Sequence, residues 1–138
     1  MRSTVRWSEG KGYEATTEKG HVVAMGVSPE MGGTGNGPSP MELILAGAGG
    51  CTCVDVVFIL KRGRYDVRDC RVEVQAERAE TDPKVFTKIH FHYVVAGKDL
   101  PPDRVERAIK LSEEKYCSAS AMLGKTATIT HDWEVVLT

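Results

Sequence analysis

Four cysteines are the residues of this 138-residue chain best able to do chemistry: Cys51, Cys53, Cys70 and Cys117. A thiolate is a strong nucleophile, and two thiols that meet can cycle between dithiol and disulfide. Their spacing shows neither C-x-x-C nor paired zinc-ligand intervals, so a structural zinc site is not expected. In a reducing compartment, thiols that pair are more often catalytic or redox-sensing than structural. Two histidines, His90 and His92, fall on one face of a strand; with no third ligand near them in the sequence, a solvated sheet face is the expectation.

Cys51 and Cys53 sit in the run from Ser39 to Arg62, read as S-P-M-E-L-I-L-A-G-A-G-G-C-T-C-V-D-V-V-F-I-L-K-R. Ser39 and Glu42 have the spacing of a capping box, and Pro40 supplies a preset helical φ at the first position. A helix from Pro40 to Lys61 would be a rod of roughly 33 Å, at about 1.5 Å per residue. It is apolar nearly all round, so burial on most sides is expected. Ala46 to Gly50 holds three glycines and two alanines. Each interior glycine costs about 1 kcal/mol relative to alanine, which close approach of another helix would offset, delivering Cys51 to the crossing. Leu43 to Leu60 is also long and apolar enough to raise a membrane span, but Asp55 at its centre would cost about 2.5–3.5 kcal/mol, and no membrane partner is expected.

The elements around the rod follow from alternation and turn residues. Thr4–Trp7, Tyr13–Thr17 and His21–Met25 form a meander closed by turns at Glu9–Gly12 and Glu18–Gly20. Gly26–Ser39 is rich in glycine and proline yet matches neither a P-loop nor a Rossmann turn, and reads as a mobile loop. Tyr65–Glu77 and Phe86–Val95 are long strands joined by the turn at Thr81–Pro83, and Cys70 is packing. From Asp103 the recurrence of Val105, Ala108, Ile109 and Ser112 gives an amphipathic helix running toward Tyr116–Cys117, with a short helical piece to Leu123 and a last strand over Thr126–Val136. Segregated helices and antiparallel strands indicate an α+β fold in a single domain, residues 1–138. Net charge is −1 with both signs scattered, so nucleic acid is not an expected partner. The polar N-terminus has no cleavable leader, and a cytoplasmic location is expected.

Two residues apart on a helix, Cys51 and Cys53 project about 200° from one another and cannot pair without unwinding it. One faces the crossing and the other the sheet or core; Cys117, near the end of the other long helix, is the natural distant partner for whichever faces it.

The run P-S-P-M-E-L-I-L-A-G-A-G-G-C-T, followed by E-K-Y-C-S, resembles the OsmC/Ohr family of thiol-dependent hydroperoxide reductases, in its shorter bacterial OsmC-like branch. The resemblance implies an OsmC-like fold with antiparallel sheets and two long helices, the long central one buried in an intertwined homodimer. It implies Cys51 as peroxidatic and Cys117 as resolving thiol, an organic hydroperoxide as substrate, an external thiol or dithiol as reductant, and no cofactor. A sulfenic acid at Cys51 would condense with Cys117 to a disulfide. Cys53 and Cys70 match no catalytic position of the family.

Two departures stand out. The family's catalytic carboxylate falls at Met41, and its arginine has no counterpart, since no arginine occurs between Arg6 and Arg62. Asp55 lies one turn beyond Cys51 on the same face, where its charge disfavours a neighbouring thiolate. Lys11, Arg62, Lys115 or Lys125 would have to arrive from elsewhere to activate the thiol. The alternative is a non-enzymatic protein of the same fold that binds a small molecule or thiol ligand.

Overall fold

The computed structural model describes residues 1–138, which form two compact units, Met1–Leu45 and Ala46–Thr138. In the first unit, strands β1 (Ser3–Ser8), β2 (Gly12–Thr17) and β3 (Val22–Met25) pair antiparallel in that order. The expected mobile loop after β3 is instead pinned. Trp7 Nε1 donates to the Gly32 carbonyl at 2.8 Å and Tyr13 OH to that of Met31 at 2.9 Å, around a 3-10 turn at Pro29–Met31. Gly26 N donates to Pro38 O at 2.8 Å, and a Cβ at Gly26 would drive into the Gly37 carbonyl. The glycines here permit close backbone approach.

Helix α1 (Pro40–Arg62) begins as its sequence dictates. Ser39 N donates to Glu42 Oε1 at 2.9 Å and Glu42 N to Ser39 Oγ at 3.1 Å, so both halves of the capping box close. Its last turn carries Lys61 and Arg62, which complement the negative end of the helix dipole.

In the second unit, strands β4 (Asp66–Arg78), β5 (Phe86–Lys98) and β6 (Thr128–Leu137) form one sheet with β5 at its centre. β4 pairs antiparallel to β5, but β6 runs parallel to it, so this sheet is mixed rather than antiparallel as expected. The reason is the connection: β5 returns to β6 through helix α2 (Pro102–Leu111), a π-helical turn (Ser112–Tyr116) and helix α3 (Ser118–Leu123), and a helical crossover sets a parallel strand beside its predecessor. The second long helix is thus a helix of 10 residues, a π-turn and a short helix. The core of this unit is built from Val56 and Leu60 of α1, Ile89, Phe91, Tyr93 and Val95 of β5, and Val105, Ala108 and Ile109 of α2, all essentially inaccessible. Each large apolar side chain so buried contributes about 1.5–3 kcal/mol.

Within the single chain α1 is buried along one side only. Ala48, Gly49, Thr52, Val56 and Leu60 are buried, whereas Val54 and Phe58 are 67% and 61% exposed. By length and composition α1 would suffice to cross a membrane, with only 28% of its most apolar window buried in the single chain. The glycine run makes a tight contact at one point only: a Cβ at Gly49 would lie 3.0 Å from Val74 Cγ2 of β4, while Gly47 and Gly50 meet nothing. The close neighbour inside the chain is a strand side chain, not a second helix.

Candidate functional site

Cys51 and Asp55 stand one turn apart on α1, and Cys117 caps the start of α3. The three come together: the Cys51 and Cys117 sulfurs and an Asp55 carboxylate oxygen all lie within 4.8 Å of one another. The π-turn makes this meeting possible. Cys117 N reaches back to Ser112 O at 2.6 Å, closing a ring one residue wider than an α-turn, after which the chain turns extended at Cys117.

The two thiols differ in setting. Cys51 is half-buried and unbonded to any other cysteine, while Cys117 is only 3% exposed and its sulfur accepts from Ser120 N at 3.3 Å. Burial pushes the Cys117 thiol up; the Ser120 amide opposes this, and the neighbouring Cys51 adds to it. Asp55, Phe58, Ile59, Arg62, Gly63, Leu111 and Tyr116 line a cavity of about 680 Å³, so Asp55 belongs to both the thiol cluster and an open, largely apolar hollow. Of the cations expected to reach the site, Arg62 shares that hollow, and Lys115 instead lies over the Tyr116 ring at 5.3 Å.

Behind the cluster runs a row of hydrogen bonds that the sequence did not announce. Ser112 Oγ donates to Asp55 Oδ2 at 2.9 Å and lies 2.7 Å from Thr52 Oγ1, which lies 2.8 Å from Tyr93 OH. Tyr93 OH donates to Glu113 Oε1 at 3.0 Å, and Glu113 Oε2 meets His131 Nδ1 at 2.6 Å. Thr52, Tyr93 and Ser112 are fully buried. Burial first, with the Glu113 carboxylate adding to it, raises the Tyr93 phenol well beyond its usual range, against the Thr52 hydrogen bond; it therefore stays a neutral hydroxyl. The one sequence signal was Ser112, a serine in the apolar recurrence of the amphipathic helix.

Cys53 projects away from this site. Its sulfur donates to the Cys70 carbonyl at 3.7 Å, and burial, together with the adjacent Cys53, pushes the Cys70 thiol up to about 12. On the outer face of the second sheet, the third group absent near His90 and His92 in the sequence arrives from β6. Asp132 Oδ1 takes both His90 Nε2, at 2.9 Å, and His92 Nδ1, at 2.8 Å.

Comparison with known proteins gives these features a lineage. A family model described as OsmC-like protein matches residues 33–132. Protein YhfA of Escherichia coli K12 is 46% identical over 137 residues, covering 99% of this chain and 98% of that protein. A hypothetical protein from Aquifex aeolicus superposes with a TM-score of 0.83 at 30% identity, over 99% of this chain and 96% of the other. The organic hydroperoxide resistance protein OsmC of Legionella pneumophila shares the fold, with a TM-score of 0.71 at 17% identity over 98% of both chains. With its strand and helix order, its glycine-rich central helix and a match of this extent, the chain belongs to the OsmC-like protein family.

Proposed function

We propose that this protein reduces organic hydroperoxides, with Cys51 as the nucleophile and Cys117 as the resolving thiol. The observation that carries this reading is the meeting of two free sulfurs, one half-exposed and one buried, beside a carboxylate that also lines a largely apolar cavity. Membership of the OsmC-like family and the fold shared with a hydroperoxide resistance protein support it.

In the first step the Cys51 thiolate attacks the terminal peroxide oxygen. An S–O bond forms, the O–O bond breaks, the sulfur is oxidised and the organic part leaves as an alcohol after taking one proton. In the second step the Cys117 sulfur attacks the Cys51 sulfenic sulfur, an S–S bond forms, and hydroxide leaves as water with a second proton. An external thiol or dithiol then reduces the disulfide. Cys117, its ionisation held back by burial, stays a thiol until oxidised Cys51 is beside it, which suits a resolver. Asp55 supplies a carboxylate at the thiols although the position the family uses holds Met41.

The chain works as one domain, a homodimer in the cytoplasm, with the exposed α1 face around Val54 and Phe58 covered by a second copy. Mass spectrometry after limited alkyl hydroperoxide tests the chemistry. A Cys51–Cys117 link in the wild type and trapped Cys51 sulfenic acid in Cys117→Ser are expected; neither species appearing would end the reading. A second reading, a non-enzymatic binder of a small molecule or thiol ligand, draws on the cavity that Asp55 and Arg62 share with Phe58, Ile59 and Leu111. Thiolate titration of Cys51 separates the two, a value near or below 7 favouring catalysis and one well above 8 favouring binding.

A further inference from the structure

Between the carboxylates of Asp55 and Glu113 stand the hydroxyls of Ser112, Thr52 and Tyr93, joined by four contacts of 2.7 to 3.0 Å. Each hydroxyl has one proton to give, and an ionised carboxylate has none. Four contacts therefore face a supply of three protons. Ser112 spends its proton on Asp55 and Tyr93 on Glu113, so the Thr52 proton can fill the gap toward Ser112 or toward Tyr93, not both. With both carboxylates ionised, one buried contact is left as lone pair against lone pair, beside a fully buried threonine. One added proton, on either carboxyl, completes the row.

We propose that this row stores that proton and so leaves Asp55 free to exchange the thiol protons, with Asp55 as the acid–base residue at its inner end and His131 as the outlet of the row. The inference rests on the peroxide-reducing reading of Cys51 and Cys117. A proton on Asp55 points every hydroxyl toward Glu113, and a proton on Glu113 points every hydroxyl toward Asp55. Four short hops convert one state to the other with no heavy atom moving. At the inner end Asp55 faces Cys51 and Cys117, with Arg62 and Tyr116 lining the same hollow; at the outer end Glu113 faces Tyr93 and the half-exposed His131.

The steps balance. With the stored proton on Glu113, the Asp55 carboxylate takes the Cys51 proton, the thiolate attacks, and Asp55 returns that proton to the departing alkoxide. It next takes the Cys117 proton and gives it to the departing hydroxide. Two thiols and one hydroperoxide become a disulfide, an alcohol and water. Catalytic contacts of this kind are commonly long in the resting protein and tighten with substrate bound, which fits sulfurs within 4.8 Å of the carboxylate. Thr52, Ser112, Tyr93, Glu113 and His131 are positioning residues for that one carboxyl.

Infrared difference spectroscopy of the reduced protein at neutral pH reads the stored proton without any peroxide. The wild type is expected to show one protonated carboxyl band, displaced or lost in Asp55→Asn and Glu113→Gln. Thr52→Val leaves Ser112 and Tyr93 each with its own acceptor, so the band disappears in that variant. If Thr52→Val fails to fold, Tyr93→Phe tests the same count, because Ser112 and Thr52 then supply two protons to two contacts and Glu113 keeps His131. In single-turnover oxidation with tert-butyl hydroperoxide, Thr52→Val is expected to slow Cys51 oxidation tenfold or more and to alter the pH profile. No protonated carboxyl in the wild type, or an unchanged band and rate in Thr52→Val, overturns the proposal. A band present in a wild type whose Cys51 ignores peroxide would instead sink the peroxidase reading and leave the proton count standing.

Discussion

Ser112 Oγ donates to Asp55 Oδ2 across 2.9 Å, tying the π-turn after α2 to the middle of α1. That single bond fixes the carboxylate at the thiol cluster and orients the segment that ends in Cys117. Removing the hydroxyl would strand a half-buried carboxylate and free the turn that holds the Cys117 sulfur, so the geometry of the thiol cluster and its local stability share one side chain.

Cys53 and Cys70 are expected to be dispensable for peroxide reduction. They touch each other, not the Cys51 cluster, and a thiol pushed up to about 12 is essentially never a thiolate at neutral pH. The double variant Cys53→Ser, Cys70→Ala should keep peroxide turnover within about twofold of wild type, measured by alkyl hydroperoxide consumption with dithiothreitol. A loss of tenfold or more with an unchanged melting temperature would give this pair a part in the cycle.

The Asp132 bridge has a calculable pH signature. Its hydrogen bond raises the His92 pKa, and His92, with His90, lowers that of Asp132. The His92 contribution to stability is fully present below the unfolded histidine value of about 6.5 and is lost as pH rises through the raised folded value. The Asp132 contribution is present above about 3.9 and is lost as pH falls through the depressed folded value. Stability from this cluster is therefore greatest between about pH 4 and 6.5 and declines on either side. Nuclear magnetic resonance titration should place His92 above 6.5 in the wild type and return it toward that value in Asp132→Asn.

Charge on the open face of α1 should break the proposed homodimer. Phe58 is 61% exposed in the single chain, and Val54 one turn before it is more so. Burying an unpaired carboxylate there costs several kcal/mol, so Phe58→Glu is expected to weaken dimerisation at least a hundredfold. Sedimentation velocity checks this: a wild type that is monomeric at micromolar concentration would remove the dimer from the reading.

Ser39→Ala tests the start of the central helix apart from the chemistry. It removes one half of a capping box whose two bonds are both formed, and caps of this kind are worth about 1 kcal/mol. Chemical denaturation should show that loss with an unchanged slope, and Cys51 reactivity should be unaltered.

Much of the fold is written locally. The capping pair, the three-strand meander, the two long strands and the buried stripe of Val105, Ala108 and Ile109 all rest on neighbours within a few residues, and each forms over nearly the expected range. The family and the α+β class follow from the same stretches. The parallel placement of β6 was not legible, because strand direction depends on whether the connection after β5 crosses back along the strand or turns at the end it left, and no residue in β6 encodes that. What covers the open face of α1 was not legible for a related reason: apolar composition says that a surface must be covered, not by what.

The cysteines show the division most clearly. Helical periodicity alone separated Cys51 from Cys53 and turned them to opposite sides of one rod, since 100° per residue is a property of any α-helix. Which of them meets Cys117, and that Asp55, Ser112, Thr52, Tyr93, Glu113 and His131 stand in line behind the meeting point, depended on a π-turn and on strand register. Those are long-range outcomes of packing, and hydrogen bonds between residues so distant in sequence exist only once the chain has closed on itself.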